Sequence, residues 1–454
     1  MLIGFLVATF LLGGGSRYDI LSLPLLRIIA VAGVAYALYF SPPGTLRQYW
    51  LPIAIFLAFT VWIAVQLIPL PPGMWTALQG RELLVATADA VGVPQPWRPI
   101  SVIPWRTTNA LLSLWVPWAA ILLAARVQLE ENRLLTGALI GIGLTSATLG
   151  MLQMLGPEGN ILYFYRVTNP ESAVGLFSNR NHNAAFLACC IPIVGLWITR
   201  SAIEGDYGDL SPRGSRYTSS VGAKIGLGAG IIFFLALGIL STGSRAGLLA
   251  AIVAVASTLA ALASNFRGRL WKRHPRMLYL FAFGALSGLL ILIAFFSQNE
   301  SVERLGDLDQ SEELRLQIWR PIADLVPQYG WSGAGIGTFV EVYQVVEPDR
   351  LLGPKFVNHA HNDWLELAVC GGIPALAIVA AALAALGRCA WRAVALPAAE
   401  QADRPLALGA ASILVILALF SIADYPLRTP SIAAFSALSA LCLFAGSRKR
   451  RPSG

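Results

Sequence analysis

Three of the four histidines in the 454 residues, with two arginines and several asparagines, fall in three short segments in otherwise apolar surroundings. In Gly175-Leu-Phe-Ser-Asn-Arg-Asn-His-Asn183, Arg180 and His182 alternate with Asn179, Asn181 and Asn183. A guanidinium is a planar fork for phosphate oxygens, so this segment reads as an anion site. The alternative is a polar helix start whose asparagines cap backbone N–H groups. In Ser241-Thr-Gly-Ser-Arg245 the arginine has no acid near it in sequence, and the turn is too short to be a solvated loop. An anionic ligand would satisfy Arg245, or its side chain would snorkel to lipid headgroups. The third segment, Asn358-His-Ala-His-Asn-Asp-Trp-Leu-Glu366, runs on to Gly371-Gly-Ile-Pro374. Here His359 and His361 can exchange protons near neutral pH, and Asn362 and Glu366 share a face if the segment is helical. A helix-start histidine bonded to backbone is the bland reading.

The elements that must position these groups are membrane spans. Hydrophobic residues make up 56% of the chain and charged residues 13%, with a mean hydropathy of +0.64. A soluble domain carries about a quarter charged residues, and disorder needs low hydrophobicity, so both are excluded. Apolar runs bounded by charge, proline or glycine fall near 2–14, 23–40, 50–68, 108–125, 134–155, 184–198, 225–240, 246–263, 277–297, 361–387, 405–423 and 430–445. The expectation is an all-α polytopic membrane helix bundle of about twelve transmembrane helices. It forms a single integral-membrane domain over 1–454, with a large outer loop, 298–360, between spans nine and ten. The first run lacks a basic start and a cleavage site, so it reads as a short span. The five cysteines have no metal-ligand spacing and read as core residues.

The net charge of +8 is an orientation signal rather than a nucleic-acid footprint. With both termini cytoplasmic, 19 lysines and arginines fall in the 82 residues of the inner segments and 13 in the 149 residues of the outer ones. The positive-inside rule then places all three polar segments on the outer face. Arg304, Arg315, Arg320, Arg350 and Lys355 in the outer loop are candidates for guiding an anionic substrate, or a solvated face. Asp307-Leu-Asp309 reads as a solvated helix start rather than a metal site. Gly333-x-Gly335-x-Gly337 lacks the strand and lysine of a nucleotide loop and simply has to turn. The Pro- and Trp-rich stretch 69–107 suits the membrane interface.

At its three polar segments the sequence resembles the O-antigen ligase and O-antigen polymerase superfamily of bacterial envelope glycosyltransferases. Gly-x-Phe-x-Asn-x-Asn-His at 175–182 is similar to the family's segment before a mid-chain span, and Ser244-Arg245 to its short Ser-Arg turn. His361-Asn362, nine residues, then Gly372-Ile-Pro follow the ligase pattern, with Ala375 departing at the last place. The resemblance implies transfer of a glycan from undecaprenyl diphosphate to a sugar hydroxyl, on lipid A–core for a ligase or on a glycan repeat for a polymerase. It implies the periplasmic face of the bacterial inner membrane, membrane lipids as the surroundings, and no nucleic-acid partner. The matching chemistry uses no cofactor or metal: Arg180 and Arg245 would hold the diphosphate and His361 would act as general base. Asn362 or Glu366 would orient that base or the sugar, with His182, His359, Arg315 and Arg320 in support. A polymerase of O-antigen or exopolysaccharide repeats is the near alternative. A transporter is a distant one, since no two-fold repeat is evident.

Overall fold

The computed structural model describes residues 1–130, 132–208, 214–265, 308–352 and 356–450. These residues form helices and short 3-10 turns, with two isolated bridges and no strand among them. The protein is an all-α polytopic membrane bundle. Among the described residues nine helices are long and apolar enough to cross a membrane, and Leu2–Leu12 and Pro430–Gly446 are shorter apolar helices. These eleven correspond to eleven of the expected spans; the run 277–297 lies outside the described residues.

Local chemistry sets the helix ends. Asn132 and Asp403 each accept a hydrogen bond from a backbone N–H three residues on, at 2.9 and 3.0 Å, and Pro104 and Pro430 start helices where no N–H is needed. Helix Arg180–Gly208 runs through the centre of the bundle: Ala184–Ile191 are at most 1% exposed. It packs against Gly214–Ser241, Arg245–Asn265 and Arg404–Ala423. The five cysteines are free and buried, as core residues should be.

The segment 330–337 is tied to the bundle at a break in helix Asp363–Ala395. Pro374 has no N–H, so the Cys370 carbonyl loses its helical donor. Gly372 opens the helix there with φ +63°. The freed carbonyls bond elsewhere: Ala334 N donates to Val369 O and Gly335 N to Cys370 O, both at 2.9 Å. Gln66 Nε2 also donates to Cys370 O at 3.1 Å, and Trp62 Nε1 to Gly371 O at 2.8 Å. A Cβ on Gly372 would sit 2.3 Å from Trp331 O. The Gly333–Gly337 stretch is therefore a backbone plug for a broken span. Helix Leu308–Tyr329 packs beside it, with Ile322 and Leu325 buried in a second apolar cluster that includes Ile63 and Val369, and Trp319 donates to Ala360 O at 2.9 Å. The plug and this helix hold the segment carrying His359 and His361 over the end of the bundle.

Candidate functional site

Arg180 and Arg245 are the first residues of their helices. Asn179 accepts from Asn181 N at 2.8 Å, and Ser244 Oγ accepts from Gly247 N at 3.0 Å, so each helix is capped by the residue before its arginine. The two starts meet: Ala173 N donates to Ser241 O at 3.4 Å, and a Cβ on Gly243 would lie 3.6 Å from Arg180 Nη1. Arg180 Nη1 also reaches Ser172 Oγ at 3.5 Å. A cation at a helix N-terminus opposes the positive end of the helix dipole. Two helix starts that meet bring the positive ends of two helix dipoles together, each beginning with an arginine, a setting that favours an anion.

Among the described residues three histidines converge on one aromatic ring. Tyr425 has ring-centre distances of 5.0, 4.2 and 4.9 Å to His182, His359 and His361. Beside it, the fully buried Asp424 lies 3.4 Å from His361 Nδ1 and 3.9 Å from His182 Nε2, and accepts from Asn181 Nδ2. Burial alone would raise the Asp424 carboxyl, but His361, His182 and Asn181 together hold it below the usual carboxylate range. Burial, with Asp424 beside it, pushes the Tyr425 phenol up, so it stays neutral. Asn181 and Asp424 thus join the helix that starts at Arg180 to His361.

A second ion network lies under His359. Its Nδ1 is 3.1 Å from Glu366, which also accepts from Ala360 N at 3.1 Å and sits 3.5 Å from Arg428 Nη2. Arg428 Nε donates to Asp363 at 3.1 Å, and Asp363 accepts from Ser421 Oγ at 3.0 Å. Burial would lower the Arg428 guanidinium, but Glu366 and Asp363 more than offset this, and it stays charged.

The sequence expectations are redistributed by this geometry. Asn362 does not orient His361: its Oδ1 accepts from Leu365 N at 3.0 Å and caps the helix. Glu366 pairs with His359, because one turn into the helix it points back at the segment before the cap; the carboxylate beside His361 is Asp424. His182 is fully buried, with Nδ1 2.8 Å from Thr429 Oγ1. Arg320 and Arg350 are exposed. The side chain of Arg315 lies outside the described residues, as do Arg304, Asp307 and Lys355. Asp424, Tyr425 and Arg428 were missed. They stand in a short turn between two apolar runs, the same pattern that singled out Arg245.

His361 is also the one described residue other than glycine with a positive φ, +48°. Such backbone is costly outside glycine and persists where the surroundings over-determine it. Residues 230–380 match the family model described as O-antigen ligase, about a third of the chain, and this stretch includes Arg245, His361 and the Gly372 break. Over that stretch the chain is similar to the O-antigen ligase family. A search of curated proteins finds no significant match. The matched stretch supplies one of the two helix starts and the whole His359–Glu366 segment. Arg180, Asp424 and Tyr425 come from helices and turns outside it.

Asp424 offers a direct test of how His361 is held. Asp424→Asn keeps the shape but removes the charge beside the imidazole. The expected result is a drop in kcat of about a hundredfold with donor and acceptor KM within a factor of about two. An unchanged kcat in protein of normal thermal stability would rule out this positioning role.

Proposed function

We propose that the protein transfers a glycan from undecaprenyl diphosphate to an acceptor sugar hydroxyl at the periplasmic face of the inner membrane, as an O-antigen ligase. Both termini would be cytoplasmic, and residues 1–454 would act as a single membrane domain with 298–360 as its periplasmic loop. The observation that carries this reading is the meeting of two arginine-bearing helix starts beside a carboxylate-held histidine. The bond between the anomeric carbon and the diphosphate oxygen breaks, and the electron pair leaves with the diphosphate. Arg180, Arg245 and the two helix starts stabilise that developing charge. The acceptor oxygen bonds the anomeric carbon from the opposite face, and its proton passes to His361. One displacement inverts the anomeric centre, and none of these steps calls for a metal or cofactor.

A lipid-linked substrate also suits the surroundings. A cavity of about 520 Å³ runs along helices Trp50–Val65, Asp363–Ala395 and Pro430–Gly446, lined largely by apolar side chains such as Ile55, Phe59, Leu441 and Phe444. Its polar end holds His359, Glu366 and Arg428, so an apolar path leads to the segment that carries His359.

A second assignment of the base has support in the same geometry. His359 lines the cavity and has its own carboxylate partner in Glu366. The functional alternative is repeat polymerisation. Deleting the protein distinguishes the two: loss of a ligase leaves polymer unattached to lipid A–core, whereas loss of a polymerase leaves single repeats. Normal attached glycan in the deletion strain would remove both. Transfer by purified protein should continue in excess chelator; loss restored by Mg²⁺ would contradict the metal-free route.

A further inference from the structure

The outer mouth of the apolar cavity has a chemistry different from that of the paired helix starts. Tyr18 and Phe356 line it and are 45% and 44% exposed, and Trp105, 54% exposed, packs edge-on against Tyr18 with ring centres 5.5 Å apart. Every arginine at this mouth has a carboxylate partner. Arg17 pairs with Asp19 at 3.0 Å and lies 5.4 Å from the Phe356 ring centre. Arg106 pairs with Glu341 at 2.5 Å and stacks on Tyr18 at 3.8 Å. Arg428 pairs with Asp363 and Glu366. Neither Arg180 nor Arg245 lines the cavity.

Paired in this way, the mouth is poorly suited to a diphosphate, which would have to displace a carboxylate to reach each arginine. A sugar ring makes different demands. It offers apolar C–H faces to aromatic rings and hydroxyls that both donate and accept. Half-exposed aromatics beside planar groups that supply donors and acceptors together meet both needs.

We propose that this mouth is the acceptor-glycan subsite, in which an uncharged sugar ring lies on Tyr18 and Phe356 and bonds the Arg17–Asp19 pair and Asn358. Asn358 and His359 are adjacent in the chain and both line the cavity, so the bound glycan is next to the histidine segment. The subsite rests on the reading above for its place in the reaction, and it is distinct from the proposed diphosphate site.

The test measures KM for donor and acceptor separately, using undecaprenyl-diphosphate-linked glycan with rough-type lipopolysaccharide or a lipid-linked single repeat. Tyr18→Leu and Phe356→Leu keep apolar bulk but lose the ring. Each is expected to raise acceptor KM about tenfold, with kcat and donor KM within about twofold; Phe356→Tyr should behave as wild type. Raised donor KM with unchanged acceptor KM would hand the mouth to the donor and overturn the proposal, as would no change in either. A photo-reactive residue at position 18 gives a readout that does not need turnover. Capture of acceptor glycan without transfer by any variant would keep the subsite and remove the transferase reading. Transfer without capture, together with unaltered acceptor KM in both leucine variants, would do the reverse.

Discussion

His361→Ala is expected to reduce glycan transfer by at least about a thousandfold, while His359→Ala retains a measurable fraction of the wild-type rate. General-base catalysis contributes about 10² to 10⁴ in rate, and two features favour His361 as the proposed base. Its Nδ1 faces a buried, ionised Asp424 at 3.4 Å, and its backbone is held at φ +48°. A carboxylate on one ring nitrogen fixes the ring's orientation and stabilises the imidazolium that forms when the other nitrogen takes a proton. His361 is half-exposed, so that second nitrogen can meet substrate; its side chain retains 30% accessibility against 0% for Asp424. The measurement is initial rate in detergent or nanodiscs, with thermal melting to confirm folding. The reverse ranking, with His359→Ala inactive and His361→Ala active, would move the base to the His359–Glu366 pair.

Arg245→Ala and Arg180→Ala should each lower turnover by about 10² to 10³, the usual loss when one donor to a developing anion is removed. Lysine replacements should recover only part of this, because a point charge cannot reproduce the bidentate fork. The two effects should be less than additive in the double variant, since in the proposed mechanism both arginines act on one leaving group. Strict additivity, or an effect of Arg180 replacement that disappears in purified protein, would separate the two residues and undo the shared site.

Much of the scaffold was legible in the sequence because apolar runs of membrane length are a strong signal. Eleven of the runs correspond to helices of the bundle, and the asparagine cap before Arg180 follows from local chemistry alone. The need for a turn at Gly333–Gly337 was also visible. Its use was not: only the structure shows its N–H groups satisfying carbonyls freed by Pro374 across a long stretch of chain. The site was half legible. The polar clusters were found because each is compact in sequence. Asp424 and Tyr425 belong to a turn far from the histidines, and helical spacing cannot report which distant turn lies above a given helix end. The same limit explains Glu366. Its four-residue spacing from Asn362 suggested a shared task, but the helix start directs Asn362 to the backbone and Glu366 to His359.

The most direct measurement reconstitutes the purified protein in nanodiscs with undecaprenyl-diphosphate-linked glycan and rough-type lipopolysaccharide. It follows released undecaprenyl diphosphate and glycan-extended acceptor together. The expected result is one extended acceptor per diphosphate released by wild type, and neither product from His361→Ala or the double variant Arg180→Ala/Arg245→Ala. Absence of both products with wild type, when offered either this acceptor or a lipid-linked repeat, would contradict glycan transfer at this site. So would equal yields from wild type and His361→Ala.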